Sequence, residues 1–245
     1  MVAVLFAGLS HPAMAQAPVG DARPAIGDVA SLPDALLVYA ARGAAGACGE
    51  NCSSWIAAEG ALYWDSYKRV IAALDRLAGL KGPFILNVRG RSDLRAALSI
   101  GKVIRERGFD TRVGQTLVDS CGTRNEADCV GLKRAGVPVQ ASLRPLLVCD
   151  TACALVLAGG VRRSMPVETT VVIQGTQVGH RLGLNVPEEV RGGVHARSSE
   201  QIKLYLTQMG VEREFADLID ANYATTRQTV LSRADLIRLR VLTPQ

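Results

Sequence analysis

The chain has 245 residues, of which 48% are hydrophobic and 21% are charged, and this composition is typical of a folded globular protein rather than a disordered or fibrous one. It carries 28 Lys and Arg against 23 Asp and Glu, a net charge of +5. The basic residues are scattered and only 4% of residues are aromatic, so we expect no nucleic-acid partner. No apolar run reaches the roughly 18 residues that a membrane-spanning helix needs, so we expect no membrane span.

The amino-terminal residues indicate export. Residues 1–20 contain no Lys, Arg, Asp or Glu; residues 1–9 are apolar, and Ala13 and Ala15 form a small-x-small site. This pattern predicts a signal peptide over residues 1–15 and a periplasmic location, with a buried first strand or helix as the alternative. Residues 16–45 begin with several Pro and Gly and are interpreted as an extended leader. The remainder, 46–245, is predicted to be one domain.

Six cysteines accompany the export pattern. An even number of cysteines in an exported chain favours disulfides. Zinc is the alternative, but neither Cys-x3-Cys pair has the two-residue spacing of a zinc knuckle and histidine is scarce, so we expect no metal site and no cofactor. Sequence alone leaves many pairings open. The spacings favour three local pairs: Cys48 with Cys52, Cys121 with Cys129, and Cys149 with Cys153.

Hydrophobic periodicity predicts alternating strands and helices along the first half of the domain. The expected elements are a strand over 54–62, a helix over 63–80, a strand over 84–88, a helix over 92–108 capped by Ser92 and closed by Gly108, and a strand over 110–117. This alternation predicts an α/β fold with a largely parallel sheet.

The second half begins with an interruption. Residues 120–145 contain two cysteines and two prolines and are interpreted as a disulfide-tied insertion. A strand over 146–148 follows, and then an apolar helix over 151–158 that ends at Gly159 and lacks a polar face, so we expect it to be buried. The last expected elements are a strand over 169–173 and helices over 198–209, 212–221 and 233–239.

Several segments, in this order, resemble exported proteins of the Clp-protease/crotonase-like superfamily: WIAAEG at 55–60, Leu86-Asn87, AALSIGKVIRERG at 96–108, CDTACALVLAGG at 149–160, residues 205–211 and residues 231–243. The resemblance covers about residues 46–243. It implies stacked β-β-α units and a buried helix whose amino end carries a catalytic nucleophile. It also implies a histidine base, an acid that orients the base, and a Gly-Gly turn that binds an oxyanion.

At each of these positions the sequence departs from the family pattern. The nucleophile position is Thr151, the histidine position is Gln174, and the acid position falls on Gln228. Glutamine cannot act as a general base near neutral pH. In the oxyanion turn Gly90 is kept, but Arg91 replaces the second glycine. We therefore expect a degenerate catalytic centre in which Thr151 serves as a helix-capping or first-turn residue.

Some alternatives stay open. His180 or His195 could replace the missing base, and Asp220 or Asp235 the missing acid, which would give a working peptidase with Thr151 as nucleophile. Three arginines, Arg89, Arg91 and Arg95, form either an anion-binding cluster or a solvated charge run.

The resemblance favours a non-catalytic protein that binds an extended peptide or a small ligand in the former active-site groove. An acyl-CoA enzyme is a more distant alternative, because export separates the chain from cytoplasmic CoA. Homo-oligomerisation stays open.

Overall fold

The computed structural model describes residues 32, 34–90, 92–123, 126–176, 182, 185–222 and 227–244. The predicted signal peptide and most of the leader lie outside these residues. The elements of the first half are β1 Leu37–Arg42, β2 Ser54–Gly60, α1 Ser66–Arg76, β3 Phe84–Val88, α2 Leu94–Glu106, β4 Thr111–Val113 and β5 Gln115–Val118.

A 3-10 helix, Asp119–Thr123, leads into the second half. The remaining elements are α3 Glu126–Arg134, β6 Val139–Arg144, β7 Val148–Asp150, α4 Thr151–Ala158, β8 Arg163–Ser164, β9 Thr170–Ile173, α5 Glu188–Gln208, α6 Glu214–Ala221, β10 Thr229–Leu231 and α7 Arg233–Arg238. The α/β class expected from the sequence is therefore present. None of these helices is long and apolar enough to cross a membrane.

Seven strands form the main sheet, in the order β5-β6-β1-β2-β3-β4-β8. The neighbouring strands β2, β3, β4 and β8 are parallel, whereas β1 runs antiparallel to β2 and β5 antiparallel to β6. The helices α1 and α2 connect the parallel strands, as the alternating sequence pattern predicts. A smaller sheet has the order β10-β9-β7, in which β7 and β9 are parallel and β10 is antiparallel to β9.

The main sheet curls back on itself. Only Gly114 separates β4 from β5, yet these strands occupy distant positions in the strand order, so the continuous chain brings the β5 edge round towards β3 and β4. The single strand predicted over 110–117 is thus two strands. Inside the curl lies a compact core that includes Tyr39, Trp55 and Ile85, and the Trp55 indole donates to the Thr116 hydroxyl at 3.0 Å.

The larger core lies on the other face of the main sheet, around α4. All eight residues of α4 are buried. At Gly159, which follows α4, a Cβ atom would lie 2.4 Å from the carbonyl oxygen of Gly101 in α2, so glycine permits the close approach of these helices. The Tyr205 hydroxyl of α5 also packs against Gly101, and it donates to the Leu155 carbonyl at 2.6 Å.

Two arginines satisfy carbonyls at the carboxyl end of α4. Arg105 of α2 donates to the carbonyls of Ala158, Gly159 and Gly160, and also to that of Met209 at 3.1 Å. Arg163 of β8 donates to the carbonyls of Ala158 and Met209 as well. Burial, together with the nearby Arg105 charge, lowers the pKa of Arg163 to about 10. Positive charge at a helix carboxyl end is favourable, and carbonyls without partners in a core are costly.

The cysteines form three disulfides, Cys48–Cys52, Cys121–Cys129 and Cys149–Cys153. These are the local pairs that the cysteine spacing favours. The first closes the connection between β1 and β2, the second ties the 3-10 helix to α3, and the third joins β7 to α4. The segment 120–145 is not an appendage, because β6 pairs with both β1 and β5.

Two helix starts differ from expectation. Asp93, not Ser92, caps α2, and its carboxylate accepts hydrogen bonds from the amides of Arg95 and Ala96. The Ser92 hydroxyl instead accepts from the Leu62 amide. The helix predicted from residue 198 begins at Glu188 and runs through the Gly192-Gly193 pair despite the low helix propensity of glycine.

We predict that Arg105→Gln lowers the free energy of unfolding by about 2–4 kcal/mol, because a cation that donates to four carbonyls is lost. The control is Arg107→Gln, which removes a partly exposed ion pair to Asp75 and should cost under about 1 kcal/mol. Urea unfolding of both variants measures the difference. Equal, small losses would contradict this role for Arg105.

Candidate functional site

The amino end of α4 is where the family resemblance places a nucleophile. Asp150, in an extended conformation, ends β7 and caps α4, and its carboxylate accepts a hydrogen bond from the Cys153 amide at 2.9 Å. The Cys149–Cys153 disulfide spans the same turn. Because both sulfurs are bonded to each other, neither cysteine is a nucleophile.

The Asp150 carboxylate occupies the positive end of the helix dipole. Burial raises the pKa of Asp150, while hydrogen bonds from the amides of Cys153 and Ala152 oppose the shift. In an acyl-transfer enzyme, free amides at such a position can stabilise a developing oxyanion. Here two of these amides already bind the side chain of Asp150, and a second negative charge beside this carboxylate would be repelled.

The hydroxyl of Thr151 both donates a hydrogen bond to, and accepts one from, the same residue. It donates to the carbonyl of Gln174 at 2.8 Å and accepts from the amide of Gln174 at 2.7 Å. Thr151 is only 3% exposed. Its contact with Gln174 is therefore made to the Gln174 backbone, and it ties the start of α4 to the end of β9.

The three positions that the resemblance assigns to a triad come to one end of the small sheet. Asp150 lies opposite Val172, so Thr151 and Gln174 both follow directly from the paired ends of β7 and β9. Thr229 lies opposite Ile173, and this register brings Gln228 to the same end. Gln228 is exposed. Its side chain makes no hydrogen bond to Thr151 or Gln174 in the part of the chain that the structure describes.

A second polar cluster joins α5 to α6 and to the loop after β9. The α5 residues His195, Ser199 and Lys203 recur every four positions and so share one helix face. All three approach Asp220: the Ser199 hydroxyl donates to it, the His195 Nε2 lies 3.8 Å away, and the Lys203 Nζ lies 3.5 Å away. The His195 Nδ1 lies 3.5 Å from the hydroxyl of Thr176.

This cluster was only partly foreseen. The sequence indicates His195 and Asp220 as substitutes for triad members but does not suggest Thr176. The spacing of His195, Ser199 and Lys203 was available as a signal. Because the sequence pattern predicts no helix over 188–197, it does not reveal that His195 shares a helix face with Ser199 and Lys203. The other proposed acid, Asp235, lies in the first turn of α7, where it accepts a hydrogen bond from the hydroxyl of the N-cap residue Ser232 and pairs with Arg238 at the surface.

A cavity of about 630 Å³ lies beside the proposed oxyanion turn. Gly90 has a φ of +79°, a conformation that favours glycine, and it lines this cavity with Arg89 and Gly60. Arg91 and His180 lie outside the described residues. Of the three arginines considered for an anion site, Arg89 faces the cavity, whereas Arg95 is 79% exposed and pairs with Asp93.

The wall of the cavity holds a buried ion pair between Glu59 of β2 and Lys133 of α3. The Lys133 ammonium also lies 5.2 Å from the ring centre of Tyr39, a cation–π distance. Burial, and then the Glu59 carboxylate, raise the pKa of Tyr39. In the described ranges no group of three or more His, Cys, Asp or Glu side chains could hold a metal ion.

Comparison with known proteins does not assign a family. No protein-family model matches the sequence, and no curated protein gives a significant match.

We predict that Asp150→Asn is at least as stable as the wild type at pH 7, because asparagine also caps helices and carries no buried charge. Burial raises the pKa of Asp150, so below neutral pH the native state binds the proton more readily than the unfolded state. Protonation therefore stabilises the wild type as pH falls towards the unfolded pKa, and the advantage of Asp150→Asn shrinks.

The control is Asp150→Ala, which loses the cap and should cost about 0.5–2 kcal/mol at pH 7. Urea unfolding of the three proteins between pH 7 and pH 4 measures these differences. A loss in Asp150→Asn as large as in Asp150→Ala would show that the carboxylate charge itself is needed.

Proposed function

We propose that this protein is an exported, periplasmic relative of the Clp-protease/crotonase-like superfamily whose catalytic centre has become non-hydrolytic and which binds an extended peptide or a small ligand. Three disulfides fit an oxidising compartment. The alternation of strands and helices through β4 and the wholly buried α4 are compatible with the stacked β-β-α units of that superfamily.

Convergence of Thr151, Gln174 and Gln228 supports the same assignment. The resemblance selects these residues from segments separated by 23 and 54 positions in the sequence. The register of the small sheet places all three at one end of β7, β9 and β10.

The observation that carries the non-hydrolytic proposal is the pair of hydrogen bonds between the Thr151 hydroxyl and the Gln174 backbone. A nucleophilic hydroxyl needs a base that takes its proton. Here the proton of Thr151 is held by a peptide carbonyl, which is not a base near neutral pH. The Asp150 carboxylate at the helix end also disfavours the oxyanion that hydrolysis would form.

A hydrolase is the second candidate, and the cluster at α5 favours it. Thr176, His195 and Asp220 stand in the order hydroxyl, base and acid. Their separations of 3.5 and 3.8 Å are longer than hydrogen bonds in an assembled triad, and Thr176 is buried. The active peptidase with Thr151 as nucleophile is the other form of this candidate.

We predict that a fluorophosphonate probe does not label the wild-type protein and that the protein does not cleave unfolded casein. Loss of one triad member typically lowers the rate by several orders of magnitude. Intact-mass spectrometry and a peptide-release assay measure the two results. An active serine hydrolase serves as positive control.

Labelling or cleavage would contradict the proposal, and two variants then identify the nucleophile. Loss of activity in Thr151→Ala would establish the Thr151 peptidase. Loss in Thr176→Val, with Thr151→Ala unaffected, would establish the cluster at α5. Circular dichroism of both variants verifies that each is folded.

A further inference from the structure

The cavity beside Gly90 is a defined pocket rather than a shallow surface depression. It lies where the parallel strands β2 and β3 end, at Gly60 and at the Arg89-Gly90 turn. Ligands of open α/β sheets bind at the carboxyl ends of their strands. Its volume of about 630 Å³ falls within the range of small-molecule pockets.

We propose that this cavity binds a small zwitterion, a free amino acid or a short peptide, with Arg89 on the carboxylate and Glu126 on the ammonium group. The proposal rests on the non-hydrolytic binding function proposed above and assigns it a place and a ligand class.

The charges of the lining residues select this ligand class. Five ionisable side chains line the cavity: Asp34, Glu59, Arg89, Glu126 and Lys133. Glu59 and Lys133 pair with each other, and Asp34 accepts a hydrogen bond from the Tyr63 hydroxyl at 2.8 Å.

Arg89 and Glu126 make no ion pair within the described residues, and both are exposed to the cavity. The Tyr63 hydroxyl is neutral and leaves the charge of Asp34 in place, so one cation, Arg89, and two carboxylates, Asp34 and Glu126, line the cavity without an ion pair among the described residues. Of the two carboxylates, Glu126 has no side-chain hydrogen bond among these residues and is assigned to the ligand. An arginine guanidinium is well suited to a carboxylate, which it can bind with two parallel hydrogen bonds.

Next to Glu59 on the adjacent strand, folding leaves one buried polar group unsatisfied. Asn87 is paired in register with Glu59 on the adjacent strand and so shares its face of the sheet. The side-chain oxygen of Asn87 is buried and has no hydrogen-bond partner among the described residues. Buried polar atoms usually have partners, and exceptions gather at functional sites. A buried ion pair such as Glu59–Lys133 likewise contributes little net stability.

One face of α3 forms a complete wall of the cavity. Glu126, Cys129, Val130 and Lys133 recur with the spacing of a helix face, and all four line the cavity. The Cys121–Cys129 disulfide fixes this helix to the 3-10 helix. The wall is thus held in place before a ligand arrives, which reduces the entropic cost of binding.

The experiment is isothermal titration calorimetry. The wild-type protein is titrated with each free proteinogenic amino acid and with dipeptides of the form Ala-X. We expect at least one of these probes to bind with a Kd below about 1 mM. For that probe, N-acetylation or C-terminal amidation, each of which removes one charge, should weaken binding at least tenfold. Arg89→Gln and Glu126→Gln should do the same.

The matched controls are Arg95→Gln and Glu106→Gln, which change exposed charges on α2 outside the cavity and should leave the Kd unchanged. Binding by no probe would overturn the proposal, as would binding that the blocked probes and the Arg89→Gln and Glu126→Gln variants do not weaken. Mass spectrometry of the dipeptides after incubation separates the two proposals. Hydrolysis that Thr151→Ala abolishes would overturn the non-hydrolytic function, whereas the calorimetric result decides the cavity alone.

Discussion

The fold depends on burying one short helix completely. The side chains of α4 are apolar apart from Thr151, and none of its residues reaches solvent to an appreciable extent. A helix leaves amides unpaired at its start and carbonyls unpaired at its end, and in a core these groups need protein partners. The Asp150 carboxylate is the partner of the Cys153 amide at the amino end, and Arg105 and Arg163 donate to the Ala158 carbonyl at the carboxyl end. The surrounding elements are arranged so that these side chains can reach α4.

The interactions that stabilise the helix also occupy the groups that catalysis at its amino end would need. A carboxylate that caps the amino end also occupies the amides that an oxyanion would need. The hydroxyl that anchors this end to β9 donates its hydrogen bond to the carbonyl of Gln174. In this account Thr151 has a structural role, and the cavity proposed to bind a ligand lies on the other face of the main sheet. There the curl of β5 and β6, together with α3, encloses polar groups around a cavity.

Short-range sequence patterns are sufficient to predict much of the fold. The apolar runs at β3 and α4 are long enough to identify both elements, and local cysteine spacing favours the observed disulfides. Features that depend on distant residues were not accessible in this way. Nothing near Gly114 in the sequence reveals that the strand divides there, because the division follows from pairing between β5 and β6.

The candidate site, too, is only partly predictable from the sequence. Thr151, Gln174 and Gly90 could be selected because each lies in a recognisable segment. The arginine at position 105 was indistinguishable from any helix-surface arginine, since its partners lie about 50 and 100 residues away. The cavity also depends on contacts between distant segments. Arg89 and Glu126 are far apart in the sequence, and both line the cavity because α3 packs across the curl.

The central claim is that the Thr151 hydroxyl is committed to the Gln174 backbone, and amide hydrogen exchange at Gln174 tests it most directly. The account predicts a slowly exchanging Gln174 amide in the wild type and in Thr151→Ser, which keeps the hydroxyl. Exchange at this amide should be much faster in Thr151→Val, which keeps the shape but not the hydrogen bond. Rapid exchange in the wild type, or protection that Thr151→Val leaves unchanged, would contradict the claim.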